Sequence, residues 1–194
     1  MSSAYSRDPA LADLLLNATH ADMKSPVARW LLTNAAGRSA DVTRLLLKKG
    51  ADVNSPEPVS GETPLMSGVS GGSLDSAALL VAKSADVNAT NRSGRSALWF
   101  AASQYNSGFI TLLAQHGAKI NAQDASGRTA LMQASELCFY WNIEPLLAAG
   151  ADPGITDKDG RRAVQLLVQA EDQKCKTSRE LLESPTHRRI AQQK

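Results

Sequence analysis

Residues 94–106 read GRSALWFAASQYN, and the start of this stretch returns at a fixed distance along the chain. Gly94 has counterparts at Gly61, Gly127 and Gly160, each 33 positions after the one before. Glycine at a constant interval indicates a turn that recurs in every unit, because glycine adopts left-handed backbone conformations without steric cost. The chain is therefore predicted to consist of tandem repeats.

Two further markers keep the same phase. The stretch ADVN occupies residues 51–54 and 85–88, and it becomes AKIN at 118–121 and ADPG at 151–154. A leucine pair precedes each stretch, at Leu45-Leu46, Leu79-Leu80, Leu112-Leu113 and Leu146-Leu147. Three markers in one register predict stacked units of about 33 residues, each packing on its neighbours.

Each unit predicts two short helices. The segments GETPLM (61–66), GRSALW (94–99) and GRTALM (127–132) begin the first helix, with Thr63, Ser96 and Thr129 as its caps. A second helix follows with apolar residues at helical spacing. Phe109 of this helix is predicted to pack in the core of the protein. Glycine then ends this helix, at Gly50, Gly117 and Gly150.

This pattern resembles the ankyrin repeat, whose motif is roughly D-x-x-G-x-T-P-L-H-x-A-A-x-x-G, then L-L-x-x-G-A-D-V-N. The closest matches are GETPLM with its downstream SADVN, and GRSALWFAA with HGAKIN. The resemblance covers about residues 25–170. It implies an all-α solenoid of helix-turn-helix units joined by β-hairpin-like turns, with about four repeats and terminal caps.

The domain organisation follows from the register of these repeats. We predict an N-terminal capping helix within residues 1–24 and a C-terminal helix with a flexible tail in 173–194. The repeats are predicted at about 25–57, 58–90, 91–123 and 124–156, followed by a half-repeat at 157–172.

Composition narrows the class of protein. The 194 residues carry a formal charge of +2, which is too small to indicate a nucleic-acid or membrane partner. The two cysteines, Cys138 and Cys175, are few and distant in sequence, which favours a reducing compartment over a disulfide framework. No signal peptide or membrane-spanning run is recognisable, so a cytoplasmic location is predicted.

The sequence predicts no catalytic site, no metal site and no cofactor. His116 lies at the end of a second helix, where a structural role is expected, and His20 and His187 have no partner at metal-ligand spacing. Cys138 lies among apolar residues and is expected to be a buried hydrophobic side chain rather than a nucleophile. The glycines of MSGVSGGS (66–73) lack the Lys-Ser/Thr of a phosphate-binding loop.

The turn tips carry a basic line, formed by Arg92, Arg95, Arg128, Lys158, Arg161 and Arg162. One interpretation is a solvated surface whose charges are compensated by Asp124, Asp157 and Asp159. The other is a docking strip for an acidic partner, since arginine grips carboxylates with two parallel hydrogen bonds.

Seven of the nine aromatic residues lie between positions 99 and 141. Trp99 and Phe100 are expected on the groove side of the first helix, with Tyr105, Tyr140 and Trp141 towards the far rim. Exposed aromatics beside arginines are typical of protein-binding hot spots. The alternative is that Trp99 and Phe139 only fill gaps between neighbouring repeats.

The predicted function is a non-enzymatic module that binds a partner protein through its concave groove and acts as an inhibitor, neutraliser or adaptor. The chain is predicted to be a monomer. The predicted partner-binding residues are Arg92, Arg95, Trp99, Phe100, Tyr105, Arg128, Met132, Tyr140, Trp141 and Arg161. The alternative is a nucleic-acid-binding accessory protein that uses the basic tips and the aromatics as a stacking groove.

The resemblance also implies that Asn54 and Asn88 could be hydroxylated, although a structural role in the turn is sufficient to explain them.

Overall fold

The computed structural model describes residues 22–167 and 172–184, which contain nine α-helices and one 3₁₀ helix. They are α1 (Pro26–Ala36), α2 (Ala40–Lys48), α3 (Pro64–Ser70), α4 (Leu74–Ala82), α5 (Ala97–Ala101), α6 (Gly108–Gln115), α7 (Ala130–Glu136), α8 (Tyr140–Ala148), the 3₁₀ helix (Ala163–Leu166) and α9 (Gln173–Glu183). The helices alternate as the repeat register predicts. The predicted N-terminal capping helix and the last ten residues of the predicted tail lie outside the described residues.

The chain forms two compact units, Met1–Arg92 and Ser93–Lys194. In the described part of the first unit, α1 packs against α2 and α3, while α4 packs against α2 and α3. Its core includes Leu32, Val42 and Leu46, which are fully buried. Burial of these aliphatic faces supplies most of the driving force for forming such short helices.

In the second unit, first helices stack on first helices and second helices on second helices. Helix α5 packs against α7, α7 against the 3₁₀ helix, and α6 against α8. The C-terminal helix α9 packs against both α8 and the 3₁₀ helix, so it occupies the place of a second helix. Phe109 is 1% exposed, which confirms its predicted place in the core.

The predicted caps are present. The hydroxyl oxygens of Thr63, Ser96 and Thr129 each accept a hydrogen bond from the backbone N–H three residues later, at 3.3–3.4 Å. At Gly94, φ is +74°, and a Cβ atom would lie 2.8 Å from the backbone nitrogen of Ala125. This turn therefore requires glycine both for its backbone conformation and for its close approach to the next turn.

Neighbouring turn tips are joined by backbone hydrogen bonds in a constant register. In the first unit, the N–H of Arg92 donates to the Ser60 carbonyl (3.1 Å). In the second, the N–H of Ala125 donates to Ser93 (2.9 Å) and that of Lys158 donates to Ser126 (3.0 Å). Each tip is thus held by its neighbour, which fixes the positions of side chains between successive tips.

The number and spacing of the two cysteines argued against a disulfide framework, but the structure pairs them. Cys138 and Cys175 form a disulfide that links the turn before α8 to helix α9. Both residues are buried, at 6% and 2% exposure, so the expected burial of Cys138 is observed in a different chemical state. The bond closes because docking of α9 brings together two residues that are 37 positions apart in sequence.

None of the helices in the described ranges is long and apolar enough to cross a membrane.

Candidate functional site

The predicted site residues of the second unit form two groups. The first surrounds Arg95 and Trp99 at the start of α5. The guanidinium carbon of Arg95 lies 4.0 Å from the centroid of the Trp99 ring, which is a cation–π contact. Phe100 meets Trp99 edge to face, with ring centroids 5.3 Å apart. The Arg95 side chain is 40% exposed, so the pair presents a cation on an aromatic support.

Asp124, in the following turn, positions this pair. One oxygen of its carboxylate accepts hydrogen bonds from the backbone N–H groups of Ser126 (2.8 Å) and Arg128 (3.0 Å). The other lies 3.7 Å from Nε of Arg95. The carboxylate is held in place by its own turn. Its negative charge therefore stays beside Arg95 and favours the position of the guanidinium over the Trp99 ring.

The Trp99 side chain is only partly exposed, and its indole N–H is buried without an acceptor among the described residues. An unpaired buried donor costs about 1–3 kcal/mol. The same register position holds Met66 in the preceding repeat and Met132 in the following one, and both are buried without such a cost. Tryptophan at this position is therefore not what the scaffold alone requires.

Met132 was predicted to bind the partner, but it is 1% exposed and packs in the core. The reason is its place in α7, where the third residue after the cap points between the repeats. Met66 occupies the corresponding position of α3 and is equally buried. Met132 therefore does not belong to the candidate surface.

Most of the predicted basic line is engaged within the protein. Arg92 donates to the carbonyl of Pro58 at 2.7 Å, inside the first unit. In the second unit, Arg128 forms an ion pair with Glu136 at 2.5 Å. Arg161 pairs with Asp157 (2.9 Å) and Asp159 (2.7 Å). These contacts favour the interpretation of a compensated surface and remove the main observation behind a strongly acidic partner.

The turn around Asp157 repeats the arrangement at Asp124. Burial of Asp157 raises the pKa of its carboxyl group, but hydrogen bonds from the backbone and side chain of Arg161 outweigh this effect. The Arg161 N–H and Nε–H donate to the carboxylate at 2.8 and 2.9 Å, and the net result is a pKa below the ordinary value. Asp157 therefore holds its turn as a carboxylate.

The second group of predicted residues lies at the interhelical turns. Tyr105 is 82% exposed and stacks on Trp141 with ring centroids 5.9 Å apart. Phe139 contacts both rings, at 5.2 Å from Tyr105 and 4.5 Å from Trp141. Tyr140 meets Trp141 edge to face at 5.2 Å. Phe139 thus joins this aromatic cluster, and the ammonium group of Lys174 on α9 lies 5.8 Å from the Trp141 ring.

Asn142 was not identified from the sequence, although it supports both groups. This residue is fully buried in α8, and its amide nitrogen donates to the carbonyls of Ala102 (3.0 Å) and Gln104 (2.6 Å) at the end of α5. It therefore satisfies backbone acceptors at the C-cap of this five-residue helix and in the turn that follows. The only signal in the sequence was a polar residue at this position of the second helix, which Ser76 occupies two repeats earlier. Ser76 is buried as well.

The chemistry available at these two groups is recognition. Within the described parts of the chain, no three His, Cys, Asp or Glu residues lie close enough to hold a metal ion. What the surface offers instead is a supported arginine, exposed tyrosines and stacked rings, which contribute strongly to protein interfaces.

Comparison with known proteins bears on the architecture. A family model described as Ankyrin repeats (3 copies) matches residues 1–91 and again residues 85–157. No curated protein matches the chain.

Proposed function

Because the chain belongs to the ankyrin-repeat family, whose repeats generally mediate protein–protein interactions, we propose that it binds a partner protein through the turn tips and first helices of its second unit. Its role is that of an inhibitor, neutraliser or adaptor without catalytic activity of its own, and the free chain is a monomer. Arg95, Trp99 and Phe100 form the centre of the contact surface. Tyr105, Tyr140 and Trp141 contribute at its rim.

The observation that carries this proposal is the Arg95–Trp99 pair. A scaffold position that methionine fills elsewhere is occupied here by a tryptophan with an unpaired buried N–H. A small rotation of this ring towards a partner's carbonyl oxygen would pair the donor and strengthen binding. Since the other arginines are largely paired, the partner surface is expected to be amphipathic rather than strongly acidic. The same pairing leaves the nucleic-acid alternative without a supporting observation.

Affinity capture from an extract of the source organism tests the proposal. The bait proteins are the wild type, an Arg95→Ala/Trp99→Phe variant, and a Thr111→Ala/Gln115→Ala control with two exposed changes on α6. Trp99→Phe keeps an aromatic ring in place and removes the N–H together with the five-membered ring of the indole. A protein retained by the wild type and the control but lost by the first variant supports the proposal. Retention by all three baits would place the contact elsewhere.

The disulfide bears on the compartment. Disulfides persist mainly in oxidising compartments, so the Cys138–Cys175 bond counts against the cytoplasmic location predicted from the cysteine number. We therefore propose that the chain acts in an oxidising compartment. Intact mass of the native chain, isolated with thiols blocked, tests this: an unlabelled chain supports it, and two blocked thiols would contradict it.

A further inference from the structure

The first unit contains a cleft that the proposed function does not use. It lies between the second helices α2 and α4 and has a volume of about 440 Å³. Leu47, Val53 and Leu79 form an apolar floor, and all three are partly exposed. Three cations surround this floor: Arg44 and Lys48 on α2, and Lys83 at the end of α4.

These cations form no ion pair with any described residue, and all three are exposed. Arg44 and Lys48 are four positions apart on one helix, where like charges repel each other. Lys48 and Lys83 lie at the C-terminal ends of their helices, where the helix dipole favours a positive charge. Arg44 lies in the middle of α2 and has no such explanation.

The repeats provide an internal comparison. In the second helices of the following units, the position of Arg44 is taken by Ala78, Thr111 and Glu144. The position of Lys48 is taken by Ala82, Gln115 and Ala148. The fold therefore requires no positive charge at either place, and the cations concentrate around the cleft only in the first unit.

We propose that this cleft binds an acidic amphipathic segment of a partner protein. One large apolar side chain of that segment lies on the floor, and carboxylates on either side of it pair with Arg44, Lys48 and Lys83. The charge of the rim selects carboxylates, and arginine can bind one with two hydrogen bonds. The recessed floor between two helices and the small net charge of +2 favour a peptide over an anionic membrane.

The test uses a fluorescein-labelled synthetic peptide of alternating glutamate and leucine, measured by fluorescence anisotropy against the full chain. Two matched peptides replace glutamate by glutamine or leucine by serine. The protein variants are Arg44→Glu and a control, Arg29→Glu, which makes the same charge change at an exposed position of α1. Vesicles containing phosphatidylserine provide the membrane comparison.

The proposal predicts that Arg44→Glu weakens peptide binding on the order of tenfold, while Arg29→Glu changes it by less than about twofold. Both substituted peptides bind more weakly than the original, and added salt weakens the original. Equal effects of the two variants, equal binding of the glutamine peptide, or Arg44-dependent binding to vesicles but not to peptide would overturn it. This outcome is independent of the second unit, because Arg95 and Trp99 are unchanged in every variant.

Discussion

Cys138 and Cys175 are joined by a disulfide that attaches helix α9 to the turn before α8. The turn residue has a left-handed backbone, with φ of +54°, and the next three residues are the aromatics of the interhelical cluster. The covalent bond and the cluster therefore share one turn. The last helix of the described residues is therefore attached at the turn that presents the exposed rings.

Reduction of this disulfide is expected to lower the free energy of unfolding by about 3–4 kcal/mol, from the loss of a cross-link spanning 37 positions. Urea unfolding with and without reductant measures the change. A Cys138→Ser/Cys175→Ser variant is the control, because reductant should not alter its stability. Equal stability of the oxidised and reduced wild type would contradict the expectation.

Alanine substitutions at two glycines of the first unit are expected to change stability in opposite directions. A Cβ atom on Gly68, within α3, would have its nearest neighbour at an ordinary 3.5 Å, whereas on Gly71 it would lie 2.3 Å from the carbonyl oxygen of Gly37. Gly68→Ala is expected to stabilise the protein by about 0.5–1 kcal/mol. Gly71→Ala is expected to destabilise it by about 1–3 kcal/mol. Urea unfolding of both variants tests the pair, and effects of the same sign would be inconsistent with this backbone contact.

Asn142→Ala is expected to cost about 1–3 kcal/mol, because the carbonyl of Ala102 loses its buried side-chain donor and that of Gln104 keeps only the Trp141 indole N–H, at 3.3 Å. Thermal or urea unfolding measures the loss. Glu144→Ala, an exposed change on the same helix, is the control and should stay within about 0.5 kcal/mol of the wild type. A similar result for both variants would show that Asn142 does not cap α5.

The depressed pKa of Asp157 predicts a pH-dependent contribution to stability. The folded pKa is below the unfolded one, so the carboxylate stabilises the fold above about pH 4 and loses this effect as pH falls through the folded pKa. Asp157→Asn should therefore be less stable than the wild type at pH 7, and the difference should shrink in acid. Chemical unfolding from pH 7 to pH 2 tests this, with Glu144→Gln, a change at an exposed carboxylate of α8, as control. A difference that does not depend on pH would refute the assignment.

The repeat architecture was predictable because its determinants are local. Thr63, Ser96 and Thr129 cap their helices by contacts within three residues, and such contacts are readable from spacing. The burial of Phe109 followed from helical periodicity in the same way. The roles of these four residues depend on their own turn or helix and were therefore predicted correctly.

The errors concern residues whose surroundings are set beyond their own helical turn. The disulfide depends on where α9 docks, and no local pattern of the two cysteines specifies this. The ion pair between Arg128 and Glu136 spans a whole helix, and the spacing of the arginines does not specify it. Met132 occupies the same repeat position as Met66, which indicates a place in the core. The repeat between them has Trp99 at this position, and that residue is partly exposed.

The most direct test of the central claim is hydrogen exchange of the chain with and without the partner identified by affinity capture. We predict new protection at the backbone amides of residues 93–101 and 125–129, around Arg95 and Trp99. Protection should be absent when Arg95→Ala/Trp99→Phe replaces the wild type. Protection confined to α6 and α8, with none at these turns, would contradict the account.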